Sequence, residues 1–153
     1  MSGPSEGDKA PDFELETADG PVRLADFADG VLVLYFYPKD DTTGCTREAQ
    51  DFTALAADFA KAGAKVVGVS KDSVAKHRKF TEKYDLGVAL GSDPEGAVIE
   101  RYGSWVEKTL YGRQYMGIDR STFLIKDGVL RRIWRKVKVP GHAQQVLEAV
   151  RAL

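Results

Sequence analysis

The sequence predicts an α/β domain of three layers, with a central mixed β-sheet flanked by helices, and three observations carry that expectation. Residues 31–37, Val-Leu-Val-Leu-Tyr-Phe-Tyr, are apolar without polar alternation, the pattern of a strand buried on both faces. Strand-like runs then alternate with helical periodicity across residues 45–101. Finally, residues 121–134 read as a β-hairpin ahead of a closing amphipathic helix over 142–153.

The elements follow in order. The first ten residues are rich in Gly, Ser and Pro and are read as a loose N-terminus of one domain spanning 1–153. Residues 13–24 predict an N-terminal β-hairpin around Asp19-Gly20, because Asp-Gly supplies the backbone angles of a tight turn. The buried strand over 31–37 ends at Pro38, which cannot donate to a ladder. Cys45, Ala49, Phe52, Ala56 and Phe59 then recur at helical steps, predicting one helix that stops at Gly63. A strand over 65–70, a helix over 73–85 capped by Ser73, a short strand over 88–90 and a short helix over 94–103 complete the alternation. Asp127-Gly128 marks the turn of the last hairpin.

Bulk composition excludes several classes of function. The chain has 153 residues, 22 basic against 23 acidic, and no long like-charged run, so neither nucleic acid nor an anionic membrane is indicated as a partner. The longest apolar run, residues 31–37, is too short to span a bilayer. With one cysteine the chain forms no internal disulfide, which fits a reducing compartment, and the N-terminus lacks the pattern of a secretory signal. The expected location is cytoplasmic.

Chemistry converges on that cysteine. A lone buried cysteine often serves only as a small apolar residue. Cys45, however, falls in the opening turn of the predicted helix, where unpaired N–H groups and the helix dipole favour the thiolate, the nucleophilic form. It shares its stripe with Phe52 and Phe59, so the sulfur should face a pocket. Thr42 and Thr43 offer hydroxyls, Gly44 allows close backbone approach, and Pro38 stiffens the loop and shields the sulfur. His77 and His142 lie far apart with no ligand spacing and are expected to be surface or partly buried residues, so no metal is expected. Nucleotide-binding glycine patterns are absent.

Pro38-x-x-x-Thr42-x-x-Cys45 resembles the active-site signature of the peroxiredoxins, and residues 36–50 are similar to the bacterioferritin comigratory protein, or Q-type, branch. The resemblance continues through 68–73, 77–86, 92–96 and 115–125, nearly the whole chain after the first ten residues. It implies a thioredoxin-like fold and a thiol-dependent peroxidase without metal or organic cofactor. By resemblance, Cys45 is the peroxidatic cysteine, Thr42 the hydroxyl that bonds thiolate and peroxide, Pro38 the cover of the pocket and Arg120 the cation facing the thiolate. Glu48 would orient Arg120. On residue chemistry alone, Arg120 could instead pair with Asp119 or a nearby glutamate, and Glu48 could simply favour a helix N-terminus.

The chain departs from that branch where resolving cysteines occur, at Gln50 in one group and Thr81 in another. Residues five apart on a helix lie about 8 Å apart, outside disulfide reach, so a thiol at 50 would require unwinding in every cycle. A one-cysteine cycle is expected instead, with an external thiol reductant such as thioredoxin, glutaredoxin with glutathione, or another small thiol. A second departure is Thr43, where the branch commonly has proline. The chain is expected to be a monomer. The competing reading is a peroxide-sensing or chaperone-like protein of the same fold with little turnover. A cysteine hydrolase lacks a histidine tied to the Cys45 loop in sequence, and a disulfide oxidoreductase lacks Cys-x-x-Cys.

Overall fold

A computed structural model describes residues 3–153. The apolar run becomes β3 (Val31–Phe36), every residue of which is buried. Its neighbours explain why. β3 runs parallel to β4 (Ala64–Ser70) on one side and antiparallel to β8 (Ser121–Lys126) on the other. The complete sheet has the order β2-β1-β5-β4-β3-β8-β9, so β3 lies well inside it. β5 (Ala89–Ser92) is parallel to β4, while β1 (Glu14–Thr17) joins β5 antiparallel, giving the mixed sheet that the sequence predicts.

Two apolar layers cover the faces. Val31, Val33, Tyr35 and Tyr37 point to one side, where they meet Cys45 and Phe52 of α1 (Thr43–Ala54), Phe59 of α2 (Ala56–Lys61), Phe80 of α3 (Val74–Tyr84) and Val146 of α5 (His142–Arg151). Leu32, Leu34 and Phe36 point to the other, against Val98 and Ile99 of α4 (Ala97–Arg101) and Phe13. Each large side chain removed from water contributes about 1.5–3 kcal/mol before entropy is counted, so this strand anchors both half-cores.

Several local signals act as expected. Ser73 caps α3 by accepting a hydrogen bond from the Lys76 backbone N–H, and Gly63 takes the left-handed conformation that ends the preceding helix. Asp127 and Gly128 both have positive φ in the turn between β8 and β9 (Val129–Trp134). In the first hairpin the register differs by one residue. Thr17 pairs with Gly20, so Ala18 and Asp19 form the turn and Gly20 opens β2 (Gly20–Arg23). Thr17 supports it, its hydroxyl donating to the Gly20 carbonyl at 2.6 Å and accepting from the Asp19 N–H at 3.1 Å.

Two further expectations need correction, and one element has no counterpart in the sequence reading. The helix expected from Cys45 to Phe59 is two helices, broken at Leu55 (φ −100, ψ 4). Thr53 donates to the Ala49 carbonyl at 2.7 Å, a back-bond that bends helices, yet Phe52 and Phe59 remain neighbours at 5.9 Å between ring centroids. The apolar period therefore survives the break. The N-terminus is not loose throughout: Gly7 and Ala10 donate backbone hydrogen bonds to Leu130 and Gly128, and Leu130 donates to Asp8. This segment pairs the open edge of β9, whose backbone groups would otherwise face water. Residues 1 and 2 lie outside the described residues. Finally, β6 (Trp105–Leu110) and β7 (Arg113–Ile118) form a separate two-stranded sheet. Its turn, Tyr111-Gly112, has positive φ at both residues but lacks the Asn-Gly or Asp-Gly pair that marks such turns in sequence.

Candidate active site

The site forms where three segments converge at the carboxyl end of β3. After Pro38 the chain turns through Asp41, whose φ is +61, and enters α1 with Thr42 as N-cap in an extended conformation. The Thr46 N–H donates to the Thr42 carbonyl at 2.9 Å, the first bond of the helix. The N–H groups of Thr43, Gly44 and Cys45 precede that bond and carry the positive end of the helix dipole. Cys45 thus occupies the first turn, as its sequence position predicts, and is 2% exposed. Ser121 of β8 is the register partner of Phe36, which places Arg120 beside the end of β3 although it is 75 residues from Cys45.

Arg120 joins the two acidic partners. Its Nη2 donates to Cys45 Sγ at 3.3 Å and its Nη1 to Glu48 Oε1 at 2.7 Å. The ion pair with Asp119 considered from sequence does not form; Asp119 Oδ2 instead accepts from the Lys136 N–H. Gly44 supplies the necessary space, because a Cβ there would lie 3.2 Å from Arg120 Nη2. Burial disfavours the guanidinium charge, but Glu48 and Cys45 outweigh it and raise the Arg120 pKa above its ordinary value.

Glu48 is 1% exposed, and among the described residues its Oε2 has no hydrogen-bond partner. Burial lifts its carboxyl from 4.5 to about 7, with Arg120 pulling the other way. The native protein therefore holds a proton that the unfolded chain releases at lower pH. The stability this gives is complete below pH 4.5 and is lost as pH rises towards 7. Urea unfolding of wild type and Glu48→Gln from pH 4.5 to 8 should show the wild type losing stability relative to the variant across that interval. A pH-independent difference would refute this assignment.

Tyr35 forms the wall beneath. It stacks on Phe52 at 4.8 Å, and its buried hydroxyl has no partner among the described residues. Burial, and then the charges of Glu48 and Cys45, hold it protonated with a pKa well above the usual phenol value.

Other expected residues stand as follows. Thr42 Oγ1 donates to the Lys39 carbonyl at 2.9 Å, so its proton closes the turn and does not face the sulfur. Pro38 is exposed at the end of β3. Gln50 is exposed on α1, and Thr81 is half-buried on α3. Thr43 is the first residue of α1, a position that tolerates proline because its N–H has no helical acceptor, and Thr42 already has the extended angles proline requires before it. Thr43→Pro should therefore stabilise the fold by about 0.4–1 kcal/mol, raising Tm by roughly 1–4 °C in thermal unfolding. A lower Tm would show that the loop depends on the threonine.

Both histidines are buried, deeper than the surface or partly buried positions expected from sequence. His142, 4% exposed, bonds Thr122 Oγ1 at 2.8 Å and meets Phe52 and Trp134 edge-on; burial lowers its pKa to about 4, so it is neutral. His77, 1% exposed, is tied to the loop before Cys45 through Asp40, a link invisible in sequence because 37 residues separate them. It faces Asp40 and Gly91, which leaves it unsuited as a base for Cys45. Asp40, Asp72 and His77 have potential ligand atoms within 4.8 Å of one another, but hydrogen bonds among themselves and to Ser70, Tyr37 and Gly91 account for the cluster.

The chain also has relatives of known family. Residues 6–133 match the AhpC/TSA family. A peroxiredoxin Bcp of Xanthomonas campestris is 51% identical over 143 residues, covering 92% of this chain and 89% of that protein. A putative peroxiredoxin Bcp of Coxiella burnetii is 48% identical, covering 92% and 95%. Among solved structures, a cysteine-to-serine mutant of Xylella fastidiosa PrxQ superposes with a TM-score of 0.93 at 37% identity, covering 99% of this chain and 98% of that one. A buried thiol at a helix N-terminus under an arginine, on a scaffold shared over almost its full length with these proteins, makes the chain a member of the AhpC/TSA family and, within it, a thiol-dependent peroxiredoxin of the Bcp, or Q-type, branch that lacks a resolving cysteine.

Proposed function

We propose that the chain reduces hydrogen peroxide and organic hydroperoxides through a one-cysteine cycle in which the resolving thiol comes from another molecule. The observation that carries this reading is the Arg120 Nη2 donor 3.3 Å from the sulfur of the chain's single cysteine. The Xanthomonas campestris bacterioferritin comigratory protein, 46% identical with a TM-score of 0.87, has alkyl peroxide reduction activity, and we extend that substrate class to this chain.

In the proposed reaction the Cys45 thiolate attacks the terminal oxygen of ROOH. An S–O bond forms, the O–O bond breaks, and the leaving RO⁻ takes a proton to give ROH. Sulfur is oxidised by two electrons to a sulfenic acid. Negative charge moves from sulfur to oxygen, so Arg120 and the N–H groups of the first turn stabilise the transition state more than the ground state. Thr42, its own proton directed to Lys39, offers lone pairs to the peroxide O–H. Pro38 covers the pocket. An external thiol then condenses with the sulfenic acid, releasing water and leaving a mixed disulfide. A second thiol attacks that disulfide and restores Cys45.

The reductant is thioredoxin, glutaredoxin with glutathione, or another small thiol, and the protein acts as a monomer in the cytoplasm. Among the described residues no helix is long and apolar enough to cross a membrane. One equivalent of peroxide should make Cys45 reactive to dimedone, and added glutathione should convert it to a mixed disulfide, both visible by mass spectrometry. Absence of both adducts would sink the cycle. Repeated turnover with a supplied thiol supports the peroxidase, whereas a single turnover with every donor would favour the peroxide-sensing reading.

A further inference from the structure

The turn that delivers Cys45 is held by a buried histidine–aspartate contact outside the expected site residues. His77 Nε2 lies 3.1 Å from the Gly91 carbonyl of β5, which only accepts, so Nε2 carries a proton. His77 Nδ1 lies 2.6 Å from Asp40 Oδ2, so a second proton lies between them. The other Asp40 oxygen accepts from the Tyr37 hydroxyl at 2.5 Å, so both carboxyl oxygens are engaged. The Asp40 N–H is held by Asp72 Oδ2 at 2.8 Å, itself fixed by the Ser70 hydroxyl at 2.8 Å. Charged groups around the ring are Asp40 and Asp72 from the two loops, Lys76 on α3, and Asp19 across the cavity that His77 helps to line. Tyr37 of β3 is the titratable neighbour from the sheet, 3.4 Å from Nδ1.

The next residue makes the matching contact at the surface. Asp41 accepts from Lys83 Nζ at 2.8 Å and from the Tyr84 hydroxyl at 2.5 Å. Consecutive aspartates therefore fasten one turn to α3, and Thr42 closes that turn on Lys39 before Thr43 begins the helix of Cys45.

We propose that His77, as an imidazolium clamped between Asp40 and the Gly91 carbonyl, is a positioning residue for the peroxidatic turn. It acts through Asp40 to set the backbone N–H groups and Thr42 around the sulfur. The inference rests on the peroxidase reading, and it explains why a buried histidine, a buried aspartate and a left-handed Asp41 occur together beside the nucleophile. In a chain without a resolving cysteine, this turn has no disulfide to form with α3 and stays fastened through the cycle.

Two measurements test it. Nitrogen NMR of ¹⁵N-histidine-labelled wild type at pH 7 should show both His77 ring nitrogens protonated; an unprotonated Nδ1 would overturn the proposal, whatever any variant does. Separately, His77→Leu should slow sulfenate formation by roughly 10- to 100-fold, the cost of a misplaced reacting group, while changing alkylation by iodoacetamide much less. Peroxide attack needs the aligned donors, whereas alkylation needs only an accessible thiolate. Asp40→Asn/His77→Leu, which removes the buried unpaired carboxylate, should restore the melting temperature but not the peroxide rate. Equal changes in both reactions, or recovery of both with stability, would reduce His77 to a packing role. Wild-type peroxidase turnover is measured alongside, so failure of the underlying function is seen independently.

Discussion

Peroxide consumption by the Cys45→Ser variant is expected to fall to the buffer background with every thiol donor. The argument is electronic. The cycle requires an atom that ionises near neutral pH, attacks the O–O bond and gains an oxygen atom while losing two electrons. A serine oxygen does none of these. The substitution keeps the shape of a side chain that is 2% exposed, and the wall of Tyr35 and Phe52 remains in place. The variant should therefore fold, with an unchanged circular dichroism spectrum. Residual thiol-dependent turnover in a pure, folded variant would mean that Cys45 is not the nucleophile, and with it the one-cysteine cycle would fail.

The second large effect belongs to Arg120. Arg120→Met should slow the reaction of Cys45 with hydroperoxide by about 100- to 1,000-fold, the usual cost of removing one aligned donor from a charge-shifting transition state. Lysine should recover only part of that loss. One guanidinium reaches Cys45 and Glu48 at the same time through its two terminal nitrogens, and a single ammonium has no such fork. Methionine also leaves Glu48 buried without its cation, so stability will fall unless Glu48 takes up a proton. The Arg120→Met/Glu48→Gln pair separates the effects. It should regain stability but not rate, as read by urea unfolding and by single-turnover sulfenate formation. A double variant with wild-type rate would show that Arg120 serves the fold alone.

Much of this architecture is written in short stretches of chain. The strand of residues 31–36 announces itself because burial on both faces demands apolar residues at every position. Ser73 and the Asp127-Gly128 turn are equally readable, since a cap or a turn involves neighbours only. The break at Leu55 is not readable, because the apolar face runs unbroken across it. The β6–β7 hairpin also escapes notice. Its strands are largely exposed and so lack the alternation of a half-buried pair.

For the site, the nucleophile and its helix are local facts: a cysteine three residues after an N-cap lies at a positive dipole end whatever surrounds it. The identity of Arg120 as partner comes through resemblance, and its position follows from the pairing of β8 with β3. Nothing in the local sequence directs the Thr42 hydroxyl to Lys39, buries His77 against Asp40, or lifts the Glu48 carboxyl to about 7. Those properties depend on which groups share a dry interior, and strands far apart in the chain bring them there. Composition and spacing thus specify an α/β scaffold with a cysteine at a helix start, and the resemblance to the peroxiredoxins adds the thiol peroxidase. Long-range sheet pairing sets its electrostatics, because charge interactions depend on distance and solvent exclusion rather than on order along the chain.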